Sequence, residues 1–165
     1  MHTVSRPDDT PDEATIQAVT QQAVQQYLGQ PGNLLPILHA IQNALGYIPP
    51  TAVPLIGEAI QLSRAEIHGV ISFYPDFRQK PAGKVVLKLC RAEACQAMGA
   101  NQLADHARRQ LNCEFHETSS TRSVTLQPVF CLGLCAQSPA VMVNNQPHAR
   151  VTPEKLDELL ANQGV

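Results

Sequence analysis

The first half of the chain carries its apolar residues at the spacing of amphipathic helices. In DEATIQAVTQQAVQQYLG they recur every three or four residues, and Gly29 is a suitable C-terminal stop. In PGNLLPILHAIQNALGYIPP, Leu38, Ile41 and Leu45 share one face, and Gly46 is placed to end the helix. The pattern therefore predicts two successive amphipathic helices.

Two more helices are predicted before the character of the chain changes. The segment TAVPLIGEAIQL is the third, with Pro54 acceptable in its first turn. The fourth, SRAEIHGVISF, begins with Ser63 and has Glu66 three residues later, which is the pattern of a capping box. The first half is thus predicted to be a small helical unit.

The pattern switches to mixed strands and helices after the turn signal PAGK, residues 81–84. KVVLKLC is short, apolar and β-branched, as in a buried strand. ACQAMGANQLADHARRQL predicts a helix with Leu103, Ala107 and Leu111 on one face. SVTLQPVFC contains two strand-like runs, which Gln127-Pro128 separates.

The remaining segments predict a hairpin and a final helix. PAVMVNNQPHARV suits a hairpin because Asn144 and Asn145 tolerate the left-handed backbone of tight turns. Thr152 and Pro153 fit the N-cap and first position of the last helix. The coarse order of the second half is β-α-β-β-α, and the predicted fold class is α+β.

The domain organisation follows from these patterns. Residues 1–11 are polar and contain proline, and are predicted to be a flexible tail. Residues 12–80 are predicted to form an N-terminal helical bundle, and residues 81–165 a second, α/β domain. No internal repeat or low-complexity segment is visible in the sequence.

Composition indicates a soluble globular protein. Hydrophobic residues make up 44% of the chain, charged residues 16%, and the net charge is −2. No basic block suggests nucleic-acid binding, and no apolar stretch suggests a secretory signal or a membrane span. We therefore expect a cytoplasmic protein, in which structural disulfides are rare and five cysteines are ligands, catalytic groups or buried thiols.

Four of the five cysteines form two close pairs. Cys90 and Cys95 make a C-x4-C motif, Cys131 and Cys135 make a C-x3-C motif, and thirty-five residues separate the two pairs. Both pairs lie where an apolar strand leads into a loop. In a β-α-β arrangement two such loops can emerge at the same end of the sheet, so four thiolates can converge on one site.

The chemistry of four thiolates without a histidine suits an all-cysteine zinc site or an iron–sulfur cluster. Zinc sites favour C-x2-C knuckles, whereas C-x4-C occurs in [2Fe–2S] ferredoxins. Gly133 permits close backbone approach to sulfur, and an apolar shell is predicted from Val129, Phe130, Leu132, Leu134, Ala140, Val141 and Met142. These features favour the [2Fe–2S] cluster, while zinc, a redox thiol pair and plain buried cysteines remain open.

No substrate-converting site is predicted in this chain. The sequence shows no acid–base pair, no nucleophilic triad, no G-x-G-x-x-G motif and no P-loop, so NAD binding is not expected here. Neither cysteine pair has the C-x-x-C spacing of a thioredoxin active site. Cys113 has no near partner and is predicted to be a packed thiol.

The sequence resembles the thioredoxin-like [2Fe–2S] family related to the 24-kDa subunit of respiratory complex I. The similarity covers nearly the whole chain after residue 12. It rests on LLPILHAIQNALGYIP, AEIHGVISFYPDF, the two cysteine pairs and ARVTPEKLDELL. Within this family, LCRAEACQAMGA is most similar to the gamma subunit of molybdenum-containing, NAD-dependent formate dehydrogenases. The pair Asn144-Asn145 departs from the Asn-Gly that relatives often have.

The resemblance implies a thioredoxin-like domain holding one [2Fe–2S] cluster, with Cys90, Cys95, Cys131 and Cys135 as its ligands. It also implies a non-catalytic electron-transfer subunit in a hetero-oligomer. A larger partner would carry FMN, a [4Fe–4S] cluster and the NAD site, and a third subunit would oxidise formate at a molybdenum cofactor. Equivalent subunits of NAD-linked hydrogenase or complex I are the alternatives, and a zinc-stabilised interaction module is the alternative of another class.

The segment SFYPDF concentrates aromatic residues at the end of the fourth helix. Phe73, Tyr74 and Phe77 suit either a packed helix end or a contact with the flavin-binding partner subunit, since aromatic residues are enriched in interface cores.

Overall fold

The computed structural model describes residues 11–121 and 123–165. The chain divides into two compact units, of which the first ends at Pro81 and the second comprises Ala82–Val165. The predicted tail, residues 1–11, lies outside the described residues apart from Pro11.

The described part of the first unit, residues 11–81, contains four helices, as the pattern of apolar residues predicted. They are α1 (Glu13–Tyr27), α2 (Leu34–Leu45), α3 (Ala52–Ile60) and α4 (Arg64–Phe73). Gly46 ends α2 in the left-handed conformation at φ 82°, which glycine adopts without a steric penalty. The apolar faces form one core from Ile16, Ala23, Val24, Leu34, Ile37, Leu38, Ile41, Ile48, Ala52, Val53, Ile56, Ile67, Ile71 and Phe77.

Helix α4 begins with the predicted capping box. The Ser63 side chain accepts a hydrogen bond from the Glu66 N–H at 3.2 Å, and Glu66 Oε2 accepts one from the Ser63 N–H at 2.8 Å. Two N–H groups that the first turn leaves without a helical partner are therefore satisfied. The hydrogen bonds from the Ser63 side chain and backbone keep the pKa of the Glu66 carboxyl below its ordinary value.

A buried glutamine fixes the segment that follows α4. Gln42 donates from Nε2 to the Asp76 carbonyl at 2.8 Å and accepts at Oε1 from the Arg78 N–H at 2.7 Å. Arg78 in turn donates from Nε to the Gly46 carbonyl at 3.1 Å. These bonds hold the segment against α2, and they bury Phe77 while Phe73 stays 76% exposed. Phe77 is therefore packed, as one interpretation of SFYPDF predicted, whereas the contact with a partner subunit stays a prediction for which Phe73 is accessible.

The second unit is built on a four-stranded sheet in the order β2-β1-β3-β4. Strand β1 (Val85–Cys90) pairs in parallel with β2 (Val124–Val129) and antiparallel with β3 (Val141–Val143), which pairs antiparallel with β4 (Gln146–His148). The helices are α5 (Glu93–Ala97), α6 (Ala100–Leu111) and α7 (Pro153–Ala161). The predicted α+β class, a helical unit followed by an α/β unit, is confirmed.

Three details of the second unit differ from the sequence-based prediction. The single helix predicted after Cys95 is two helices, because Gly99 has a φ of 94° that interrupts the helical path. The two runs around Gln127-Pro128 form one continuous strand, β2. It lies at the edge of the sheet, where a proline without an N–H is tolerated. Third, the predicted order has two strands between the helix and the last helix, whereas the structure has three, β2, β3 and β4.

The predicted hairpin joins β3 to β4 through Asn144 and Asn145, both with positive φ. Asn144 also anchors the hairpin to β1, since its Oδ1 accepts from the Val86 N–H at 2.9 Å and its N–H donates to the Val86 carbonyl at 3.1 Å. Thr152 caps α7 as predicted, accepting from the Lys155 N–H at 3.3 Å. The hairpin and the N-cap are both confirmed.

Helices α6 and α7 cover the buried face of this sheet. The core residues are Val85, Leu87, Leu89, Leu103, Ala104, Ala107, Leu111, Cys113, Val124, Leu126, Val141, Val143, Val151, Leu156 and Leu160. The predicted apolar face of α6 is part of this list. Across the described ranges, no helix combines the length and apolar character needed to cross a membrane.

Candidate metal centre

The topology of the sheet brings the two cysteine pairs to one end of the second unit. Cys90 is the last residue of β1 and is in register with Val129, the last residue of β2. Cys131 follows two residues later. Because β1 and β2 are adjacent and parallel, both loops leave the sheet at the same end. The sequence-based argument for convergence therefore holds.

The first pair is buried. Cys90 and Cys95 are each 2% exposed, and their thiols are within hydrogen-bonding reach of each other. Cys95 lies in α5, one short turn after the strand ends. The Cys90 N–H donates to the Ala140 carbonyl at 3.1 Å, and the Arg91 N–H donates to the Val129 carbonyl at 2.7 Å. These backbone bonds fix the start of the loop against its neighbours.

The second pair is exposed and close together. The Sγ atoms of Cys131 and Cys135 are 3.6 Å apart. The Gly133 N–H donates to Cys131 Sγ at 3.3 Å, which is the amide-to-sulfur contact that the glycine was predicted to allow. Cys131 has φ 106°, a conformation rare for a residue with a side chain, and such outliers concentrate at functional sites.

The two pairs influence each other electrostatically. Cys131 acts to raise the pKa of Cys95, and Cys95 and Cys90 act to raise the pKa of Cys135. Ser138 provides a direct link, because its Oγ is 3.4 Å from Cys95 Sγ and donates to the Cys135 carbonyl at 2.8 Å. All four predicted site residues are therefore members of one local cluster.

The pKa values of the buried Cys95 and the exposed Cys135 shift in opposite directions. Burial acts to raise the pKa of Cys95, but hydrogen bonds involving Ser138, Cys90 and the Ala140 backbone outweigh it, and the pKa lies below its ordinary value. The hydrogen bond and the charge of Cys131 raise the pKa of Cys135. Four thiolates this close repel one another, so a cation that binds them relieves the repulsion.

Four of the seven residues predicted for the apolar shell pack around the buried cysteines: Val129, Leu132, Leu134 and Ala140. Cys90, Cys95, Ala100 and Ala140 form a small core of their own, and the side chains that pack against it are Ala92, Val129, Leu132 and Leu134. Phe130 does not belong to this shell, because it is 74% exposed. Val141 belongs to the core of the sheet instead, and Met142 is not among the side chains that pack against the buried cysteines. The shell lowers the local dielectric around the buried pair, Cys90 and Cys95, and limits the access of water to it.

The donor set fits a [2Fe–2S] cluster. Such a cluster is usually held by four cysteine thiolates, without histidine, and these ligands are divided between its two iron atoms. The thiolates of such a cluster therefore do not have to surround a single point. Among residues 11–121 and 123–165, no group of three or more His, Cys, Asp or Glu side chains is arranged around one ion position.

Cys113 lies apart from this cluster. It is 7% exposed and packs in the core of the sheet with residues such as Leu111. Burial raises the pKa of its thiol, which makes it a poor ligand and a poor nucleophile. Its prediction as a packed thiol is confirmed.

Ser138 is the residue of this site that sequence reasoning missed. It is 8% exposed and contacts both a buried and an exposed cysteine. Serine is common in loops, and nothing in the local sequence distinguishes this one. A single 3-10 turn, η1 (Cys135–Gln137), contacts α5. This turn places the following residue, Ser138, next to Cys95.

This fold and this site define a small α/β protein with an apolar, four-cysteine centre at the ends of two parallel strands. Residues 20–163 match the family described as thioredoxin-like [2Fe–2S] ferredoxin. The chain belongs to this family, whose cofactor is one [2Fe–2S] cluster, and the thioredoxin-like part of the fold prediction is thereby confirmed.

Curated relatives are components of NAD(P)-linked oxidoreductases. The chain is 31% identical over 147 residues to an NADH-quinone oxidoreductase subunit of Mycobacterium tuberculosis, covering 89% of this chain and 58% of that protein. It is 30% identical over 123 residues to the corresponding NADH-quinone oxidoreductase subunit of Pseudomonas aeruginosa, covering 74% of each. It is 29% identical over 130 residues to the NADP-reducing hydrogenase subunit HndA of Solidesulfovibrio fructosivorans, covering 79% and 76%.

A solved structure shares the fold. An NAD⁺-reducing [NiFe]-hydrogenase in the air-oxidized state superposes with a TM-score of 0.67 at 23% identity, covering 79% of this chain and 22% of that chain. At this level of identity the match shows the fold alone. The chain spans little more than half the length of its mycobacterial relative.

Proposed function

We propose that this chain is an electron-transfer subunit that binds its [2Fe–2S] cluster through Cys90, Cys95, Cys131 and Cys135. The observation that carries the proposal is the meeting of two cysteine pairs, one buried and one exposed, at the ends of adjacent parallel strands. When bound, such a cluster supplies one-electron storage and transfer.

The surrounding residues suit this task. The Gly133 N–H donates to Cys131 Sγ, which stabilises negative charge on that sulfur. Leu132 and Leu134 pack against the buried pair and limit water access. Cys131 and Cys135 lie at the surface beside the exposed Phe130, so this edge offers electrons the shortest route to a partner.

Single cysteine variants test the ligand set. We expect Cys90→Ser, Cys95→Ser, Cys131→Ser and Cys135→Ser each to lose or strongly perturb the EPR signal of the reduced protein, because a serine oxygen is a poor substitute for a thiolate on iron. The matched control is Cys113→Ser, which should retain the signal. Loss of signal in this control, or full retention in any of the four, would contradict the ligand set.

The partner we propose is a larger subunit that carries FMN, a [4Fe–4S] cluster and the NAD site, in a cytoplasmic hetero-oligomer. The three relatives described above support the NAD site, since they are subunits of NADH- or NADP-linked enzymes, and the family resemblance supports FMN and the [4Fe–4S] cluster. The exposed Phe73 and the partly exposed Tyr74 offer an aromatic contact of the kind enriched in interfaces.

For the complex itself we propose an NAD-dependent formate dehydrogenase with a molybdenum-containing catalytic subunit. Support comes from the loop LCRAEACQAMGA, whose residues between the first two cysteines resemble the gamma subunits of those enzymes. The same role in an NAD-linked hydrogenase or in complex I is equally compatible with the relatives, so the experiment must separate the three complexes.

A further inference from the structure

A buried hydroxyl connects the two cysteine pairs. Ser138 is 8% exposed, and its Oγ lies 3.4 Å from Cys95 Sγ and 2.8 Å from the Cys135 carbonyl oxygen, to which it donates. No other side-chain hydroxyl among the described residues hydrogen-bonds to any of the four cysteines of the site. The position of Ser138 is therefore unusual within this site.

Counting protons defines what this hydroxyl can do. A serine hydroxyl has one proton to donate and two lone pairs that accept. While Cys95 is a free thiol, its S–H can donate to Ser138 Oγ. At the same time the Ser138 O–H donates to the Cys135 carbonyl oxygen. A Cys95 thiolate bound to iron has no proton. A hydrogen bond between Cys95 Sγ and Ser138 Oγ then requires the Ser138 O–H as its donor.

We propose that Ser138 is a positioning residue for electron transfer, whose hydroxyl donates to Cys95 Sγ in the cluster-bound protein and raises the reduction potential of the cluster. This rests on the function proposed above. One-electron reduction adds one negative charge to the site, and a donor directed at a ligand sulfur stabilises that charge more in the reduced than in the oxidised state. The electron comes from the redox partner or from an added reductant.

The surroundings strengthen this effect. Cys95 is 2% exposed and lies among Ala100, Ala140 and Leu134, so few water molecules compete with the hydroxyl. A hydrogen bond in such a low-dielectric environment stabilises charge more than one in water. The Cys135 carbonyl oxygen competes with Cys95 Sγ for the proton of the Ser138 hydroxyl. The hydroxyl should donate to Cys95 Sγ more often as that sulfur gains negative charge.

The test compares Ser138→Ala, which removes the hydroxyl, with Ser138→Thr, which retains it. EPR-monitored redox titration should give Ser138→Ala a lower potential, by roughly a tenfold change in the one-electron equilibrium constant, or about 59 mV. Ser138→Thr should remain close to the unchanged protein. Deuterium exchange should shift the Fe–S stretching bands in resonance Raman spectra more in the unchanged protein than in Ser138→Ala.

Equal potentials and equal deuterium shifts in all three proteins would overturn the proposal. So would a cluster lost from both Ser138→Ala and a second variant without a hydroxyl, Ser138→Gly, because that result would make Ser138 structural. Iron and sulfide are measured first in the unchanged protein. Their absence there would refute the proposed function itself and would be seen before any variant is compared.

Discussion

At the scale of single residues, Asn144 forms a tight turn and also makes three hydrogen bonds to other parts of the second unit. Its backbone has φ 47°, and besides its two bonds to Val86 it donates from Nδ2 to Gln163 Oε1 at 3.3 Å. The turn could be predicted, because asparagine tolerates a left-handed backbone. The bonds to Val86 and Gln163 could not, because these partners are distant in sequence and meet Asn144 only in the folded sheet.

We expect Asn144→Ala to lower the free energy of unfolding by about 1 kcal/mol, because the side chain no longer accepts from the Val86 N–H or donates to Gln163. The matched control is Asn145→Ala, which shares the left-handed backbone at φ 69° but removes no bond to Val86. Urea denaturation of both variants measures the difference. Equal losses of stability would contradict the role given to the Asn144 side chain.

For the cysteines too, some features could be predicted from the sequence and others could not. Their spacing and their place after apolar strands were sufficient to predict that they meet. Their unequal exposure was not predictable, because it depends on which loop packs against α5. The positive φ of Cys131 also had no signal in the sequence, since a cysteine gives no sign of a left-handed backbone.

At the scale of elements, the helices of the first unit followed local rules. Caps, glycine stops and apolar spacing were enough to define them, because these signals act within a few residues. The second unit depended more on tertiary context. Its sheet tolerates Pro128 only because β2 is an edge strand, and the order of strands cannot be read from β2 itself.

The N-cap of α4 offers a direct test at this scale. Ser63→Ala should lower the free energy of unfolding by about 1 kcal/mol, since the side chain that caps the Glu66 N–H is removed. The matched control is Ser72→Ala in the same helix, where the hydroxyl only donates to the Gly69 carbonyl. Chemical denaturation near neutral pH should show a clear loss for the first variant alone, and equal losses would contradict the cap.

The same variant carries a pH prediction. Hydrogen bonds from Ser63 lower the pKa of Glu66 below its ordinary value of 4.5. The stabilisation is therefore fully present above pH 4.5 and is lost as the pH falls through the lowered pKa of the folded protein. The stability difference between the unchanged protein and Ser63→Ala should shrink on acidification. A difference that grows as the carboxyl becomes protonated would contradict this assignment.

At the scale of the whole molecule, the chain combines a helical unit with a metal-binding unit and shows no substrate site in its sequence. In the complex proposed above, the partner subunits convert the substrate. The location of the cysteine centre was predictable from the strand pattern, whereas the identity of the complex depends on one loop, residues 89–100. That loop lies at the centre itself and carries two of its cysteines.

Purification of the native complex tests the choice of enzyme. We expect this chain to co-purify with a flavin-containing subunit and a molybdenum-containing subunit, and the complex to reduce NAD⁺ with formate. Hydrogen as electron donor and a quinone as acceptor are the matched comparisons. A complex that reduces NAD⁺ with hydrogen but not with formate, or that contains nickel without molybdenum, would overturn the formate dehydrogenase proposal.

The central claim is that the four cysteines hold a redox-active cluster, and metal analysis with EPR tests it most directly. The chain would be purified without oxygen, and its iron, acid-labile sulfide and zinc measured before reduction. We expect two iron atoms and two sulfides per chain, a red-brown colour, and an EPR signal that appears on one-electron reduction. Stoichiometric zinc in a colourless protein without iron or sulfide would contradict it.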